Sequence, residues 1–437
     1  MNSPSRATSA LLLSAALIGT AAPAHANPTL AMDVDSGEVI SHSEAFRPWA
    51  PASLTKMMTA LVAFRAVEEG RATMDTPVVM SAYAAEKPAS KMYWKPGTSV
   101  TLREAVIILM VKSGNDVATA VAETIGGTEL EFVEMMNEEA ARLGMTGTVF
   151  RNPSGLPDDA MVTNARDMAI LGATIRRDFP QYDDLFGWEA IDTGLEKPIL
   201  GYNLMLGRYE GADGMKTGFV CASGFNIVNT ATRAMPDGAE RTVLSVVLGA
   251  PSQERRAEIS AELMERAFAP SASGPRLETL EPYGDTTSRT DLRSQICTEA
   301  ARANRYDGRD VEGRMVLDTD LITPRTRAPI TIAIEPQPPL PEPRVKPASL
   351  GGPAGDDVAY AYDTPVPMMR PDGAARTDEA SLNATGGDEG APSAGAGGVA
   401  VAANDAALRT GDEPAVRSGL AERAAPLSVG AVPAGER

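Results

Sequence analysis

Histidine and cysteine are almost absent from this chain. Of its 437 residues, two are histidines, His25 and His42, and two are cysteines, Cys221 and Cys297. His25 lies in a segment that we expect to be removed, so the mature protein keeps a single imidazole. Histidine is the usual base that activates a serine nucleophile. A serine hydrolase built on this sequence is therefore expected to use a lysine instead.

The two cysteines leave two interpretations open. Neither Cys221 nor Cys297 has the spacing of a metal ligand, so we expect no zinc site. In an oxidising compartment the pair would form a disulfide. The alternative is a pair of buried small residues with free thiols. We favour the disulfide.

Basic residues are outnumbered by acidic ones. The chain has 40 Lys and Arg against 58 Asp and Glu, which gives a formal net charge of -18. Because phosphate binding requires a basic surface, nucleic acid is excluded as a partner. The C-terminal part also offers no strongly basic amphipathic helix that would bind a membrane surface.

Long apolar runs are missing as well. The one candidate, Ala10 to Ile18, follows Arg6 and precedes Ala24-His25-Ala26, a small-x-small cleavage pattern. This run is too short for a stable membrane anchor, and the residue after the expected cut is Asn27 rather than a cysteine that could be lipidated. We therefore predict that residues 1–26 are a signal peptide and that the mature protein is exported to the periplasm or cell envelope, without a strong membrane anchor.

The remaining sequence predicts an α+β (mixed α/β) domain over residues 27–268. A hairpin turns at Asp35-Ser36-Gly37, and two later strands turn at Pro236-Asp237-Gly238. The helices are predicted over residues 53–70, 105–111 (after a capping box at Thr101), 116–125, 129–143, 164–176 and 254–267. Strands at both ends with helices between them indicate one antiparallel sheet, built from both ends, with an inserted helical subdomain.

The sequence after residue 268 loses this periodicity. Residues 269–335 form an extension of uncertain structure, with one possible short helix over 291–302. From residue 336 to residue 437 Pro, Gly, Ala and Asp dominate, so we predict a disordered tail.

The most informative stretch is Pro51-Ala52-Ser53-Leu54-Thr55-Lys56. Ser53 and Lys56 are three residues apart at the predicted start of a largely apolar helix, so they share one face. Lys56 could take the Ser53 proton if burial and neighbouring cations lower its pKa. Taken alone, however, Ser-x-x-Lys also occurs by chance in long chains.

Two further motifs carry polar groups suited to a substrate. Ser113-Gly114-Asn115 places a hydroxyl and an amide at a predicted corner between helices, where a helix cap is the alternative. In Gly214-Met215-Lys216-Thr217-Gly218-Phe219, a lysine and a hydroxyl could meet a carboxylate, while Gly218 allows a substrate backbone to approach. For this motif the alternative is a glycine-rich turn.

The three motifs, in this order, match the Ser-x-x-Lys, Ser-x-Asn and Lys-Thr-Gly signature of the penicillin-binding proteins. Together with Asn152-Pro153-Ser154-Gly155-Leu156 they make the sequence resemble the serine D-alanyl-D-alanine carboxypeptidases, the low-molecular-mass penicillin-binding proteins, over residues 27–268. The resemblance implies a β-lactamase/transpeptidase-like fold. The small β-rich domain that often follows in this family is not evident here.

The resemblance also implies catalytic roles. Ser53 would be the acylated nucleophile, Lys56 its base, and Ser113 a proton relay to the leaving group. The backbone N–H groups of Ser53 and Phe219 would form the oxyanion hole. No metal or organic cofactor is required.

The resemblance implies substrate-binding roles too. Asn115 would hold the substrate amide, and Lys216 and Thr217, beside Gly218, would bind the terminal carboxylate. The middle motif departs from the Ser-Asp-Asn form because Gly114 replaces the aspartate.

The expected activity is removal of the terminal D-alanine from peptidoglycan stem pentapeptides, with β-lactam antibiotics as covalent inhibitors. No Glu-x-x-Leu-Asn lies between Asn115 and Lys216, which argues against a β-lactamase. A peptidoglycan DD-endopeptidase is the nearest alternative, and a non-catalytic cell-wall scaffold is a more distant one. A bridge between Cys221 and Cys297 would tie the segment after the catalytic domain to the edge of the site.

Overall fold

A five-stranded antiparallel sheet organises the computed structural model, which describes residues 27–304 and 317–339. From one edge to the other its strands are β2 (Val39–Ser43), β1 (Thr29–Asp33), β9 (Glu240–Ala250), β8 (Gly224–Ala234) and β7 (Ala212–Val220). Every neighbouring pair is antiparallel. The prediction of one sheet built from both ends of the domain is confirmed.

Helices form most of the rest of the fold. They are α1 (Thr55–Glu68), α2 (Ala82–Ala85), α3 (Leu102–Val111), α4 (Asn115–Gly126), α5 (Glu129–Arg142), α6 (Ala165–Asp178), α7 (Gln253–Phe268), α8 (Arg293–Ile296) and α9 (Glu299–Asn304). Short 3-10 helices cover Ala52–Leu54, Pro180–Leu185 and Leu277–Thr279. Six of the α-helices, α1 to α6, lie between β2 and β7 in the chain, which confirms the inserted helical subdomain.

Both faces of the central sheet are covered. Val246 and Val247 are neighbours in β9 and are both fully buried, although successive side chains of a strand point to opposite faces. Helices α6 and α7 both pack on β1 and β9. Within α3, Thr101 and Glu104 form the predicted capping box.

Smaller sheets complete the architecture. A hairpin pairs β3 (Pro77–Val79) with β4 (Ser99–Thr101), and a second sheet has the order β10 (Thr331–Ala333), β5 (Ala190–Asp192) and β6 (Ile199–Leu200). Strand β10 comes from the extension and pairs in parallel with β5.

The extension, whose structure the sequence left uncertain, packs on the preceding domain. Its apolar side chains at Leu277, Leu292, Ile296, Ile322 and Ile334 are buried. Hydrophobic burial of these side chains explains how a segment with little regular structure stays in place.

The predicted start of the disordered tail, residue 336, is too early. The backbone of Gln337 exchanges hydrogen bonds with Ser99, with N···O distances of 2.7 and 3.0 Å, so the ordered chain continues past residue 336. The predicted signal peptide, residues 1–26, and the remainder of the predicted tail, residues 340–437, lie outside the described residues. Of the helices in residues 27–304 and 317–339, none is both long and apolar enough for a membrane span.

Candidate active site

Ser53 lies in the 3-10 helix Ala52–Leu54, immediately before α1, and is half-buried. Ala52 has φ of +50°, a left-handed conformation that costs a residue with a side chain about 1–3 kcal/mol. Gly155 holds this turn from behind, because a Cβ at Gly155 would lie 1.8 Å from the carbonyl oxygen of Ala52. Only glycine allows these two segments to approach so closely. The nucleophile candidate is thus positioned by a tertiary contact, ahead of the helix predicted to start at residue 53.

Lys56 is fully buried on the first turn of α1. Its Nζ donates to Ser53 Oγ (3.2 Å), to Asn115 Oδ1 (2.8 Å) and to the carbonyl oxygen of Ser154 (2.6 Å). Burial, followed by the positive charge of Lys216, lowers the pKa of Lys56 well below its usual value, although Asp116 acts in the opposite direction. The neutral amine is therefore accessible at a much lower pH than for an ordinary lysine.

The three partners of Lys56 determine where its lone pair points when the amine is neutral. The carbonyl oxygen of Ser154 can only accept a hydrogen bond. The same holds for Asn115 Oδ1, whose orientation follows from the bond that Asn115 Nδ2 donates to the Pro88 carbonyl oxygen (2.9 Å). A neutral amine has two N–H groups for these two acceptors, so its lone pair is left for the Ser53 hydroxyl. This geometry suits proton transfer from Ser53 to Lys56.

The loop at residues 152–156 supplies the third partner of Lys56. Asn152 Oδ1 accepts from the backbone N–H groups of Gly155 (2.8 Å) and Leu156 (3.1 Å), which shapes the loop around the Ser154 carbonyl group. In the sequence this stretch contributed to the family resemblance but received no role. Its Asn-Pro-Ser-Gly composition signals a turn, and nothing in it indicates that a carbonyl oxygen reaches a lysine about 100 residues earlier in the chain.

The Ser113-Gly114-Asn115 motif forms the corner between α3 and α4. Gly114 is the N-cap of α4 and no side chain caps that helix, so the helix-cap alternative is wrong. Asn115 contacts Lys56 directly, as described above. Ser113 has φ of +63° and is 6% exposed, and its hydroxyl has no hydrogen-bond partner in the described part of the chain. A strained, buried and unpartnered hydroxyl is unusual away from functional sites.

Asp116 is a buried residue of this corner that the sequence did not reveal. Its carboxylate accepts from the backbone N–H groups of Met92 (2.7 Å) and Tyr93 (3.3 Å). Burial raises the pKa of Asp116, while these hydrogen bonds act against that rise. The carboxylate thus fastens residues 92–93 to the start of α4.

The third motif lies within strand β7, so the alternative of a glycine-rich turn is wrong. Residues Gly214 to Val220 pair with β8, and Lys216 is opposite Val228. Thr217 is 5% exposed and Lys216 is fully buried, with Lys216 Nζ donating to the carbonyl oxygen of Thr217 (3.0 Å). Burial, together with the nearby positive charge of Arg256, lowers the pKa of Lys216 to about 7.

Gly218 is the point at which β7 meets the turn that carries Ser53. A Cβ at Gly218 would lie 3.1 Å from the backbone nitrogen of Ser53 and 3.1 Å from the carbonyl oxygen of Pro51. The next residue, Phe219, is half-buried and packs its ring on Phe225, with 4.3 Å between ring centroids. Ser53 and the Lys-Thr-Gly motif therefore share one site.

Arg256, on α7, is the second buried charge that sequence reasoning missed. It is 2% exposed, and its guanidinium donates to the carbonyl oxygens of Tyr202 (2.8 Å) and Asn226 (3.4 Å). Among the described residues no carboxylate forms an ion pair with it. Its charge acts on Lys216, which lies 40 positions earlier, so no local sequence signal could have identified it.

Cys221 and Cys297 are bonded in the structure, with an S–S distance of 2.00 Å. Cys221 directly follows β7, and the backbone N–H of Leu292 donates to the carbonyl oxygen of Ala222 (3.0 Å). The extension is thereby attached beside the site. In residues 27–304 and 317–339, no three His, Cys, Asp or Glu side chains gather in a way that could hold a metal ion.

This fold, with a serine and a buried lysine beside the edge strand of its central sheet, is that of the penicillin-binding proteins. The chain is similar to the crystal structure of the D-alanyl-D-alanine carboxypeptidase DacD from Francisella tularensis, with 30% identity and a TM-score of 0.51. The similarity covers 60% of this chain and 74% of that chain. The chain is also similar to penicillin-binding protein D2 from Listeria monocytogenes in its cefotaxime-bound form, with 28% identity, a TM-score of 0.50, and coverage of 56% and 98% of the two chains.

Sequence comparison identifies the family. The model of the peptidase S11 family, described as D-alanyl-D-alanine carboxypeptidase, matches residues 17–252. The D-alanyl-D-alanine carboxypeptidase DacF of Bacillus subtilis is 30% identical over 251 residues, which are 56% of this chain and 62% of the relative. The chain thus spans somewhat less than two thirds of the length of that relative. The chain belongs to the D-alanyl-D-alanine carboxypeptidase family, peptidase S11.

Proposed function

We propose that this protein is a serine carboxypeptidase that removes the terminal D-alanine from the stem peptides of peptidoglycan. The observation that carries the proposal is the hydrogen bonding of Lys56, since Ser53 is the one partner of the three that has a proton to give. Membership in the family supplies the substrate class. The assigned roles are those that the motifs predict.

In the acylation step, Ser53 Oγ attacks the carbonyl carbon of the penultimate D-alanine and its proton passes to Lys56 Nζ. The carbonyl π electrons move to oxygen, which becomes an oxyanion stabilised by the backbone N–H groups of Ser53 and Phe219. Such preorganised donors contribute more to many enzymatic accelerations than any other single factor. The contact between Gly218 and the Ser53 turn supports this arrangement.

Collapse of the oxyanion breaks the peptide bond and leaves an ester on Ser53. The departing amine of the terminal D-alanine needs a proton, which Lys56 returns through the Ser113 hydroxyl. The buried position of Ser113 without a partner in the described residues supports this relay. Water then adds to the ester and gives a proton to Lys56 Nζ. The bond between Ser53 Oγ and the acyl carbon breaks, Ser53 Oγ takes that proton from Lys56, and the shortened peptide leaves with a free carboxylate.

The terminal carboxylate of the substrate is bound by Lys216 and Thr217. Strand β7 is at the edge of the sheet, where an extended peptide can add as a further strand. Arg256 adds positive charge behind Lys216, which strengthens the attraction for an anion. Asn115, one end of which is held by Pro88, presents its amide to the acyl side of the peptide.

β-Lactams are expected to acylate Ser53 and to leave slowly. The structure of the similar Listeria protein described above is that of its cefotaxime-bound form, which supports this part of the proposal. We further propose that residues 1–26 direct export and that the mature enzyme, from Asn27, acts in the periplasm or cell envelope, where its substrate is made.

The decisive experiment measures D-alanine released from a synthetic peptide ending in D-Ala-D-Ala by the mature protein and by its Ser53→Ala variant. Release by the first protein alone is the expected result, accompanied by a mass increase of one penicillin molecule after incubation with benzylpenicillin. Release by both proteins would exclude Ser53 as the nucleophile, and release by neither would exclude the carboxypeptidase activity.

A further inference from the structure

A shallow groove lies next to the candidate active site. Its floor is formed by residues 50–52, directly before Ser53, and one wall by residues 155–159. Val220 and Ala222, which follow the Lys-Thr-Gly motif, line it on another side, and Arg289 and Arg293 complete it. Both arginines belong to the extension, beyond residue 252, where the match to the family ends.

The direction of the substrate leads to this groove. Under the proposed function, the terminal carboxylate lies at Lys216 and Thr217, and the scissile carbonyl group lies beside Phe219. The acyl side of the peptide must then continue past Phe219, towards Val220 and Ala222. An extended chain advances about 3.3 Å per residue and Ala222 lies three residues beyond Phe219, so the part that reaches the groove is about three residues before the scissile bond.

Arg289 supplies an available positive charge in the groove. It is half-buried, and its Nη1 donates to the backbone carbonyl oxygen of Asp159 (2.5 Å), which holds the guanidinium in place. No carboxylate among the described residues forms an ion pair with it. Arg293 is already paired with Asp291 (2.8 Å). Arg289 therefore keeps donors that can bind a carboxylate.

The two acidic residues of the groove, Asp158 and Asp159, do not neutralise the positive charge of Arg289. Asp158 accepts from the backbone N–H of Ala160 (2.8 Å) and lies 4.0 Å from Arg151. Asp159 is exposed and contacts Arg289 through its backbone, not its carboxylate. The Asp159 carboxylate would thus repel an anionic ligand weakly, whereas Arg289 would attract it.

We infer that this groove is a substrate subsite in which Arg289 binds a carboxylate carried by the peptide three residues before the scissile bond. The inference rests on the proposed function for the direction of the peptide. It assigns the extension a role in specificity, because the Cys221–Cys297 bond and the hydrogen bond from Leu292 to Ala222 hold the arginine wall against the end of β7.

The test compares two peptides, N-acetyl-Glu-(Nε-acetyl)Lys-D-Ala-D-Ala and the matched peptide with Gln in place of Glu. Their dissociation constants are measured on the full mature chain carrying Ser53→Ala, so that binding is read without turnover. The same background also carries Arg289→Gln, Asp159→Asn or, as a control, Arg266→Gln. Arg266 is exposed at the end of α7 and does not line the groove.

The Ser53→Ala protein should bind the Glu peptide about 5- to 10-fold more tightly than the Gln peptide, as for a partly exposed charge-assisted hydrogen bond. Arg289→Gln should abolish that preference, Asp159→Asn should increase it, and Arg266→Gln should retain it. The subsite would be overturned if the Ser53→Ala protein showed no preference, whether both peptides bind equally or neither binds. It would also be overturned if the preference survived Arg289→Gln or decreased with Asp159→Asn.

Release of D-alanine from both peptides by the protein with Ser53 intact separates this inference from the proposed function. Release without any preference for the Glu peptide would overturn the subsite alone. A binding preference without any release would overturn the carboxypeptidase activity and leave the subsite supported.

Discussion

Replacing Gly218 by alanine tests whether the contact between β7 and the Ser53 turn determines the reaction rate. The added Cβ would lie 3.1 Å from the Ser53 nitrogen, 3.1 Å from the Pro51 carbonyl oxygen and 3.2 Å from the Leu54 nitrogen. Ordinary contact begins at 3.4 Å, so two of these distances are 0.3 Å too short. All three atoms belong to the backbone and cannot rotate away. Either β7 or the turn must therefore move by about 0.3 Å, since packed interiors leave little free space.

This displacement moves the Ser53 N–H relative to the oxyanion position. A misplacement of 1 Å can cost about 100-fold in rate, and complete loss of one oxyanion donor about 100- to 1000-fold. A shift of a few tenths of an ångström should accordingly lower kcat for D-alanine release about 3- to 10-fold. The second-order rate of acylation by benzylpenicillin should fall by a similar factor, because under the proposed function both reactions use the same oxyanion hole.

The matched control is Gly187→Ala. At Gly187 an added Cβ would meet only the Asp213 carbonyl oxygen at 3.5 Å, an ordinary contact, so both rates should stay at their original values. Thermal unfolding of all three proteins checks that the folded fraction is the same. A Gly218→Ala protein with unaltered kcat and acylation rate would show that this contact does not position the Ser53 N–H, and so would an equal loss of rate in Gly187→Ala.

Three further predictions concern the charges and the disulfide. Lys216→Ala should lower kcat/KM at least 10-fold for peptides with a free terminal carboxylate but far less for esters that lack one, because a charge-assisted hydrogen bond is lost; equal losses would exclude the carboxylate role. In pH profiles, kcat/KM for the peptide should fall above about pH 7 as Lys216 loses its proton. For the ester, kcat/KM should only rise with pH as Lys56 is deprotonated. A fall in kcat/KM at high pH for both substrates would contradict this. Removal of the Cys221–Cys297 bond, which closes a loop of 76 positions, should lower the free energy of unfolding by up to about 4 kcal/mol in denaturant titrations. Alkylation of both thiols without reductant would show that the bond is absent.

Sequence reasoning was most successful where the determining interactions are local. The hairpin around Gly37, the Thr101–Glu104 capping box and the turn at Pro236-Asp237-Gly238 all depend on residues within a few positions of one another, and the structure contains each of them. The helices followed from their apolar residues, because each of the long helices is buried on one side or along most of its length. Lys56 lies on the first turn of a helix as predicted, whereas Ser53 lies in the 3-10 helix immediately before it.

Sequence reasoning was less successful where segments far apart in the chain determine the local structure. The glycine-rich stretch at residues 211–224 was compatible with a turn, yet most of it forms β7 because β8 pairs with it along its length. Strand formation depends on neighbouring strands more than on intrinsic preference. The extension was unassigned for the same reason, since its order comes from burial of single apolar residues against the domain.

Residue types and short spacings were enough to predict the candidate reactive groups, their order in the chain and the α+β architecture that carries them. The way in which these groups are tuned depends on tertiary contacts. The carbonyl oxygen of Ser154 directs the lone pair of Lys56, burial and the charge of Arg256 lower the pKa of Lys216, and Arg289 reaches the groove beside Ser53. Each of these effects depends on distances between atoms far apart in the chain, and electrostatic and hydrogen-bond energies fall steeply with such distances.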